Sequence, residues 1–323
     1  MKQSVCFAMD EMSFNGLLGI SKFNHVCDCS NKYLKNVFSL LLIFCKSSHI
    51  TKTKVLILKF VFLMSNQKPL ILISNDDGIT APGIQALIEV MKELGEVIVV
   101  APDKPQSAMG HAITINHPIR LTEVHLYNDV KAYQCTGTPV DCVKIAIDKI
   151  LPRKPDLMVS GINHGSNSSI NVIYSGTMSA AVEAAIDGMK SIGFSLCDYA
   201  WDADFESVKP FIKKIALETL NHGLPYGTLL NVNIPVPQDK NIKGIKVCRQ
   251  AQAKWKEDFD RRKDPFGRDY FWMTGQFINM DKGEDTDQWA LDNGYISVVP
   301  TMFDLTDHQR IGTINQWNLN ETT

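Results

Sequence analysis

Leu70-Ile71-Leu72-Ile73-Ser74-Asn75-Asp76-Asp77-Gly78 decides how the rest of the chain is read. The four apolar residues, two of them β-branched, predict a strand buried on both faces. Asn75-Asp76-Asp77-Gly78 is good turn chemistry, so two adjacent carboxylates stand where a strand gives way to a loop. In a parallel α/β sheet, ligands bind at that edge. Neighbouring acids repel, and keeping both ionised calls for a cation or several donors. Two readings are open: Asp76 and Asp77 hold a divalent metal, or Asp77-Gly78 is a plain turn with Asp76 a solvated neighbour.

Downstream, Ile84, Leu87, Ile88, Met91 and Leu94 recur at helical spacing and Gly95 is a natural stop. Val97-Ile98-Val99-Val100 is a second buried strand. Strand, helix and strand over so short a span form a βαβ unit, hence a parallel sheet. The second strand empties into a loop carrying Ser107 and His111, which should open on the same edge as the acids. His111 reads equally well as a loop residue without a role.

Ala112 to Ile115 and Ile119 to Thr122 alternate, predicting short strands. Thr138 before Pro139 and Asp141 reads as an N-cap, opening a helix from Val140 to Ile150. Asp156 to Ser160 is a third buried strand, whose exit loop, Gly161 to Ser169, holds Asn163. Ser175-Gly176-Thr177 opens a further helix of small residues, either as an anion site or as an ordinary cap. Ile192 to Leu196, Leu229 to Ile234 and Ile242 to Val247 read as strands, and Phe205 to Ile215 as a helix. From about residue 236 the pattern changes. Asp269 to Met273 and Tyr295 to Val299 read as the paired runs of a hairpin arm.

The 323 residues suffice for one large α/β domain or two smaller ones. A net charge of -2 argues against a nucleic-acid polymer as partner. The 8 cysteines show no zinc spacing and fit a reducing cytoplasm. Residues 1–63 do not match the rest of the chain, and their apolar runs, broken by Lys46, Lys52, Lys54 and Lys59, are too short for a membrane span. They read as a non-native or disordered extension, with Met64 the expected start. A weak targeting or membrane-surface segment is the competing reading.

Asp76, Asp77, Ser107 and Asn163 all offer oxygen, which suits Mg²⁺, Mn²⁺ or Ca²⁺ and not zinc. A hard cation beside the Ser175–Thr177 turn suits phosphate-ester hydrolysis. No P-loop, GxGxxG or GxSxG occurs.

Ser74-Asn75-Asp76-Asp77-Gly78 with Ala81-Pro82-Gly83, Ala101-Pro102-Asp103 through Ser107, Gly137-Thr138-Pro139 with Asp141-Cys142, Ser160-Gly161-Ile162-Asn163, Tyr174-Ser175-Gly176-Thr177 and Asn231-Val232-Asn233-Ile234-Pro235 occur in this order. Together they resemble the SurE survival-protein family of 5'-nucleotidases. Thr286-Asp287 and Gly294-Tyr295 to Thr306 also fit, so the resemblance runs from about Met64 to Thr306. It implies a Rossmann-like three-layer αβα fold with a parallel-rich sheet, and a C-terminal arm exchanged in a homodimer or homotetramer. It implies a metal-dependent phosphomonoesterase acting on nucleoside 5'-monophosphates; with the donor set, the cysteines and the short apolar runs, the expectation is Mg²⁺ or Mn²⁺ as the ion, the cytoplasm as the compartment and no membrane partner. The metal ligands carry over to Asp76, Asp77, Ser107 and Asn163, with the two acids also catalytic, and Ser175, Gly176 and Thr177 are left to receive the substrate phosphate. Ala108 departs from the pattern, where many members have Gly. A broader phosphomonoesterase or exopolyphosphatase, or a non-catalytic nucleotide-sensing module, are the alternatives.

Overall fold

In the computed structural model the described residues are 68–323, apart from 201, 237–241, 318 and 320–323. The expected start at Met64, and the reading of residues 1–63 as an extension, lie outside them.

Strand β1 (Leu70–Ser74) is buried along its whole length at the centre of a nine-stranded sheet. Helix α1 (Pro82–Lys92) and strand β2 (Glu96–Pro102) complete the first βαβ unit. Strands β3 (Leu121–Val124) and β4 (Lys131–Cys135) extend the sheet beyond β2. Helix α2 (Pro139–Ile145) continues as a wider π turn over Ala146–Ile150. Strand β5 (Leu157–His164), helix α3 (Gly176–Ile186), strand β6 (Ser191–Leu196), helix α4 (Lys209–His222) and strand β7 (Thr228–Ile234) come next. The remainder is β8 (Gly244–Val247), β9 (Ala253–Lys263), β10 (Asp269–Asn279), α5 (Asp287–Asp292), β11 (Tyr295–Met302) and α6 (Ile311–Ile314).

The sheet order is β3-β4-β2-β1-β5-β6-β7-β11-β8. From β4 to β7 every neighbouring pair is parallel. The chain leaves β1 on one side to form β2 and returns on the other as β5, so the strand order reverses between β1 and β5. This is the topological switch point, the crevice where such sheets bind ligands.

Strand alternation sends successive side chains to opposite faces. Ile71, Ile73, Val97 and Val99 pack with Ile84, Leu87 and Ile212 of α1 and α4. Leu70, Leu72, Ile98 and Val100 pack with Val143, Met178 and Ala181 of α2 and α3. Both faces are covered, which is why these strands read as unbroken apolar runs. Close contact also needs small residues: a Cβ on Gly83 of α1 would stand 2.0 Å from Ile162 O of β5.

Several sequence expectations are corrected. Ala112 to Ile115 is not a strand, because side chains take its backbone groups: Thr138 Oγ1 donates to Ala112 O, and Thr114 N donates to Asp141. The second alternating run forms a strand only from Leu121. Phe205 and Val208 are buried but precede α4 rather than lying in it. Asp269 to Met273 does pair in a hairpin, but with β9, the charged run Ala253–Lys263. Tyr295 to Val299 instead lies in the main sheet between β7 and β8.

Candidate active site

The switch point is lined first by the turn after β1. Asn75 Nδ2 donates to Gly78 O at 2.8 Å and folds the turn on itself. Gly78 has φ +97°, a conformation open to glycine at little cost. Asp76 is only 4% exposed. It meets the start of α3: the Thr177 hydroxyl and backbone N–H both donate to its carboxylate. A Cβ on Gly176 would lie 2.7 Å from Asp76 Cβ, so only glycine allows this approach. Burial and then the charge of Asp77 push Asp76 up to about 6, against the Thr177 bonds.

Asp77 accepts the His164 backbone N–H at 3.3 Å. Burial raises its pKa, opposed by that bond and by the charge of the His164 ring. Asn163 stands beside it on β5, which runs to His164, so Asn163 belongs to a strand end and not to an exit loop as expected. The β5–β6 register shifts between Ser160 and Asn163, a bulge that re-aims side chains near its site. Asn163 Nδ2 donates to His164 O and Gly165 O, at 3.1 and 2.8 Å. With its nitrogen committed there, Oδ1 faces Thr177 Oγ1 at 3.4 Å. One hydroxyl therefore borders both the Asp76 and the Asn163 oxygens.

Ser107 is strung past these groups on an exposed loop. Gln106 N donates to Asp76 O at 2.7 Å, and Gly110 N donates to Tyr174 O at 3.1 Å. Ser107 lies between those two pins, the second of them one residue short of Ser175. His111 turns away to Glu183, with Nε2 2.9 Å from Oε2, so the expected approach of His111 to the two aspartates is not what the side chain makes.

At the start of α3 the hydroxyls are engaged. Ser175 Oγ accepts from Met178 N at 3.0 Å as the N-cap, and Thr177 Oγ1 serves Asp76. Gly176 N–H, at the first helical position, has no acceptor inside the helix. Thr138 caps α2 as expected, in a reciprocal capping box with Asp141.

Two groups of site-shaping residues escaped sequence reasoning. One is Thr177 as the direct partner of Asp76, which no spacing rule reveals. The other is the polar net behind Asn163. Asn233 Oδ1 accepts from Asn167 N at 2.8 Å, Asn231 Nδ2 donates to Asn167 O at 2.9 Å, and Asp287 accepts from Ser169 N at 2.7 Å. The Asn-Val-Asn and Thr-Asp motifs thus hold the loop after β5. Their repeated amides were the available signal.

The fold and site define a class: a doubly wound α/β protein with a carboxylate pair, one member buried, and a helix start at its switch point. A family profile described as Survival protein SurE matches residues 71–257. The 5'-nucleotidase SurE of Flavobacterium psychrophilum is 65% identical over 255 residues, covering 79% of this chain and 99% of the relative. That of Bacteroides thetaiotaomicron is 47% identical, covering 78% and 97%. The crystal structure of the SurE protein from Aquifex aeolicus superposes with a TM-score of 0.66 at 41% identity, covering 76% of this chain and 98% of that one. The chain belongs to the SurE survival-protein family.

Proposed function

We propose that the β1–β5 edge is the metal centre of a 5'-nucleotidase that hydrolyses nucleoside 5'-monophosphates to nucleoside and phosphate. One observation carries this reading. Asp76 is buried against a second carboxylate, and among the described residues no lysine or arginine forms an ion pair with either. Such a pair is costly until a cation joins it. Asp76, Asp77, Ser107 and Asn163 would hold the ion, and their all-oxygen donor set fits Mg²⁺ or Mn²⁺. When bound, such an ion draws charge from a phosphoryl oxygen and acidifies water.

The chain's own residues do the positioning. Thr177 orients Asp76, the His164 N–H orients Asp77, and the two carbonyls beyond Asn163 lock its amide. Of Ser175, Gly176 and Thr177, the hydroxyls are spoken for, so the phosphate contact falls to backbone N–H at the positive end of α3, with Gly176 first. The names carried by relatives at 65% and 47% identity support the nucleotidase activity.

The β9–β10 hairpin supports a homodimer or homotetramer. A lone two-stranded ribbon is marginal in water, and this one exposes Phe259, Phe271, Trp272 and Met273. Among the described residues no helix is long and apolar enough to cross a membrane, and the cytoplasm is the compartment proposed.

The test is phosphate release from AMP, GMP, a 3'-monophosphate and polyphosphate, with Mg²⁺ or Mn²⁺ and with EDTA. Metal-dependent release from the 5'-monophosphates is expected. Release chiefly from polyphosphate would favour the broader phosphatase, and no metal-dependent release from any of them would defeat the enzyme reading.

A further inference from the structure

Glu183 has no place in the chemistry above, yet it is 3% exposed on α3, among buried alanines 180, 181, 184 and 185. It sits two turns in from the helix start that faces Asp76. Its carboxylate has two partners. Lys144 of α2 donates to Oε1, and His111 meets Oε2 at 2.9 Å. Burial alone would raise its pKa, but these bonds outweigh burial and hold the group below its ordinary value. It is therefore an anion at neutral pH, and the His111 ring donates Nε2–H to it.

The Lys144 bond ties α2 to α3 and needs no further role. The His111 bond is different, because His111 belongs to neither helix nor strand. It lies four residues beyond Ser107 on a loop whose tip, from Ser107 to Met109, is exposed. Ala108 there has φ +59° and Gly110 φ +56°. Such a loop gains little from apolar burial, so its shape rests on its polar pins. Gln106 N–H and Gly110 N–H supply two through backbone. His111 supplies a side-chain pin to a fixed, buried charge, the stronger kind of hydrogen bond.

We propose that Glu183 and His111 are positioning residues of the metal centre: the buried carboxylate anchors His111 and thereby sets where the Ser107 hydroxyl stands. Neither residue touches the ion. This rests on Ser107 being one of its ligands. Partners behind a ligand commonly change metal affinity 10–100-fold when removed.

The experiment measures the midpoint of Mn²⁺ binding by isothermal titration calorimetry, without substrate, for wild type, Ser107→Ala, His111→Ala and Lys144→Met. In parallel, AMP hydrolysis is titrated with Mn²⁺. His111→Ala is expected to raise the Mn²⁺ midpoint about 10-fold. Its half-activating Mn²⁺ concentration should rise alike, while turnover at saturating Mn²⁺ falls much less. Its metal-free melting temperature should stay near wild type, because His111 is half-exposed. Lys144→Met, which breaks the α2–α3 tie and leaves the His111 bond to Glu183 in place, should leave the midpoint unchanged. A wild-type midpoint in His111→Ala alongside a raised one in Ser107→Ala would overturn the positioning role alone. A wild-type midpoint in Ser107→Ala would overturn the ligand assignment and the role with it. Equal effects of Lys144→Met and His111→Ala would assign the change to helix packing and also overturn the role.

Discussion

Replacing Asp76 with asparagine should stabilise the metal-free protein while removing its activity. Burial and the neighbouring Asp77 raise Asp76 from 3.8 to about 6. At 1.36 kcal/mol per pKa unit, holding this carboxylate ionised in the fold costs about 3 kcal/mol at neutral pH. Asparagine keeps one oxygen for the Thr177 donors. Burying an amide has its own cost, so a net gain of about 1–2 kcal/mol is expected. The sign with pH is definite. A carboxylate whose folded pKa is raised favours the fold while protonated, so its penalty is absent below about 3.8, grows between 3.8 and 6, and is full above that range. Urea unfolding in EDTA should therefore show Asp76→Asn more stable than wild type at pH 7.5, with the gap closing toward pH 4. Added Mn²⁺ should reverse the order, since a ligand at 100 times its Kd contributes about 2.7 kcal/mol to the protein that binds it. If Asp76→Asn is less stable than wild type in EDTA at pH 7.5, or the gap ignores pH, the electrostatic reasoning is wrong.

Asp77→Asn should cut AMP turnover at least about 100-fold with an unchanged circular dichroism spectrum, a loss of roughly 2.7 kcal/mol of transition-state stabilisation; full activity would remove Asp77 from the metal centre. Ala108→Gly should stabilise by about 0.5–1 kcal/mol in urea unfolding, because φ +59° is strained for alanine and glycine relieves it at some entropic cost. Trp272→Lys, on the exposed face of the β9–β10 ribbon, should shift sedimentation equilibrium toward monomer, and an unchanged assembly would move the interface elsewhere.

How much of this was legible depends on where each residue's partners lie. β1, β2, β5 and β6 could be read because both faces of the sheet are covered, which leaves an unbroken apolar signature. The caps at Thr138 and Ser175 could be read because their partners are three residues away. β9 could not: Ala253–Lys263 stands exposed, carries charge on both faces, and has no alternation to betray a strand. β11 was misassigned because Ser297 to Val299 pairs with Asn231 to Asn233 of β7, far upstream in the chain. Within the candidate site, the acids announced themselves by type at a strand end, and Asn163 by type although it was expected in the loop after β5. Thr177 was read as a phosphate contact, but its bond to Asp76 was not, because the hydroxyl acts across 101 residues of chain. Glu183 looked like any helical glutamate until its burial was seen. His111 was visible as a loop histidine, but its direction was not.

The most direct measurement is an anomalous difference map from crystals of active protein soaked in Mn²⁺. A single strong peak is expected at the β1–β5 edge, about 2.0–2.3 Å from carboxylate oxygens of both Asp76 and Asp77 and from Asn163 Oδ1, with Ser107 Oγ completing the protein ligands. A peak elsewhere, or an edge free of manganese in protein that still cleaves AMP with Mn²⁺, would contradict the assignment.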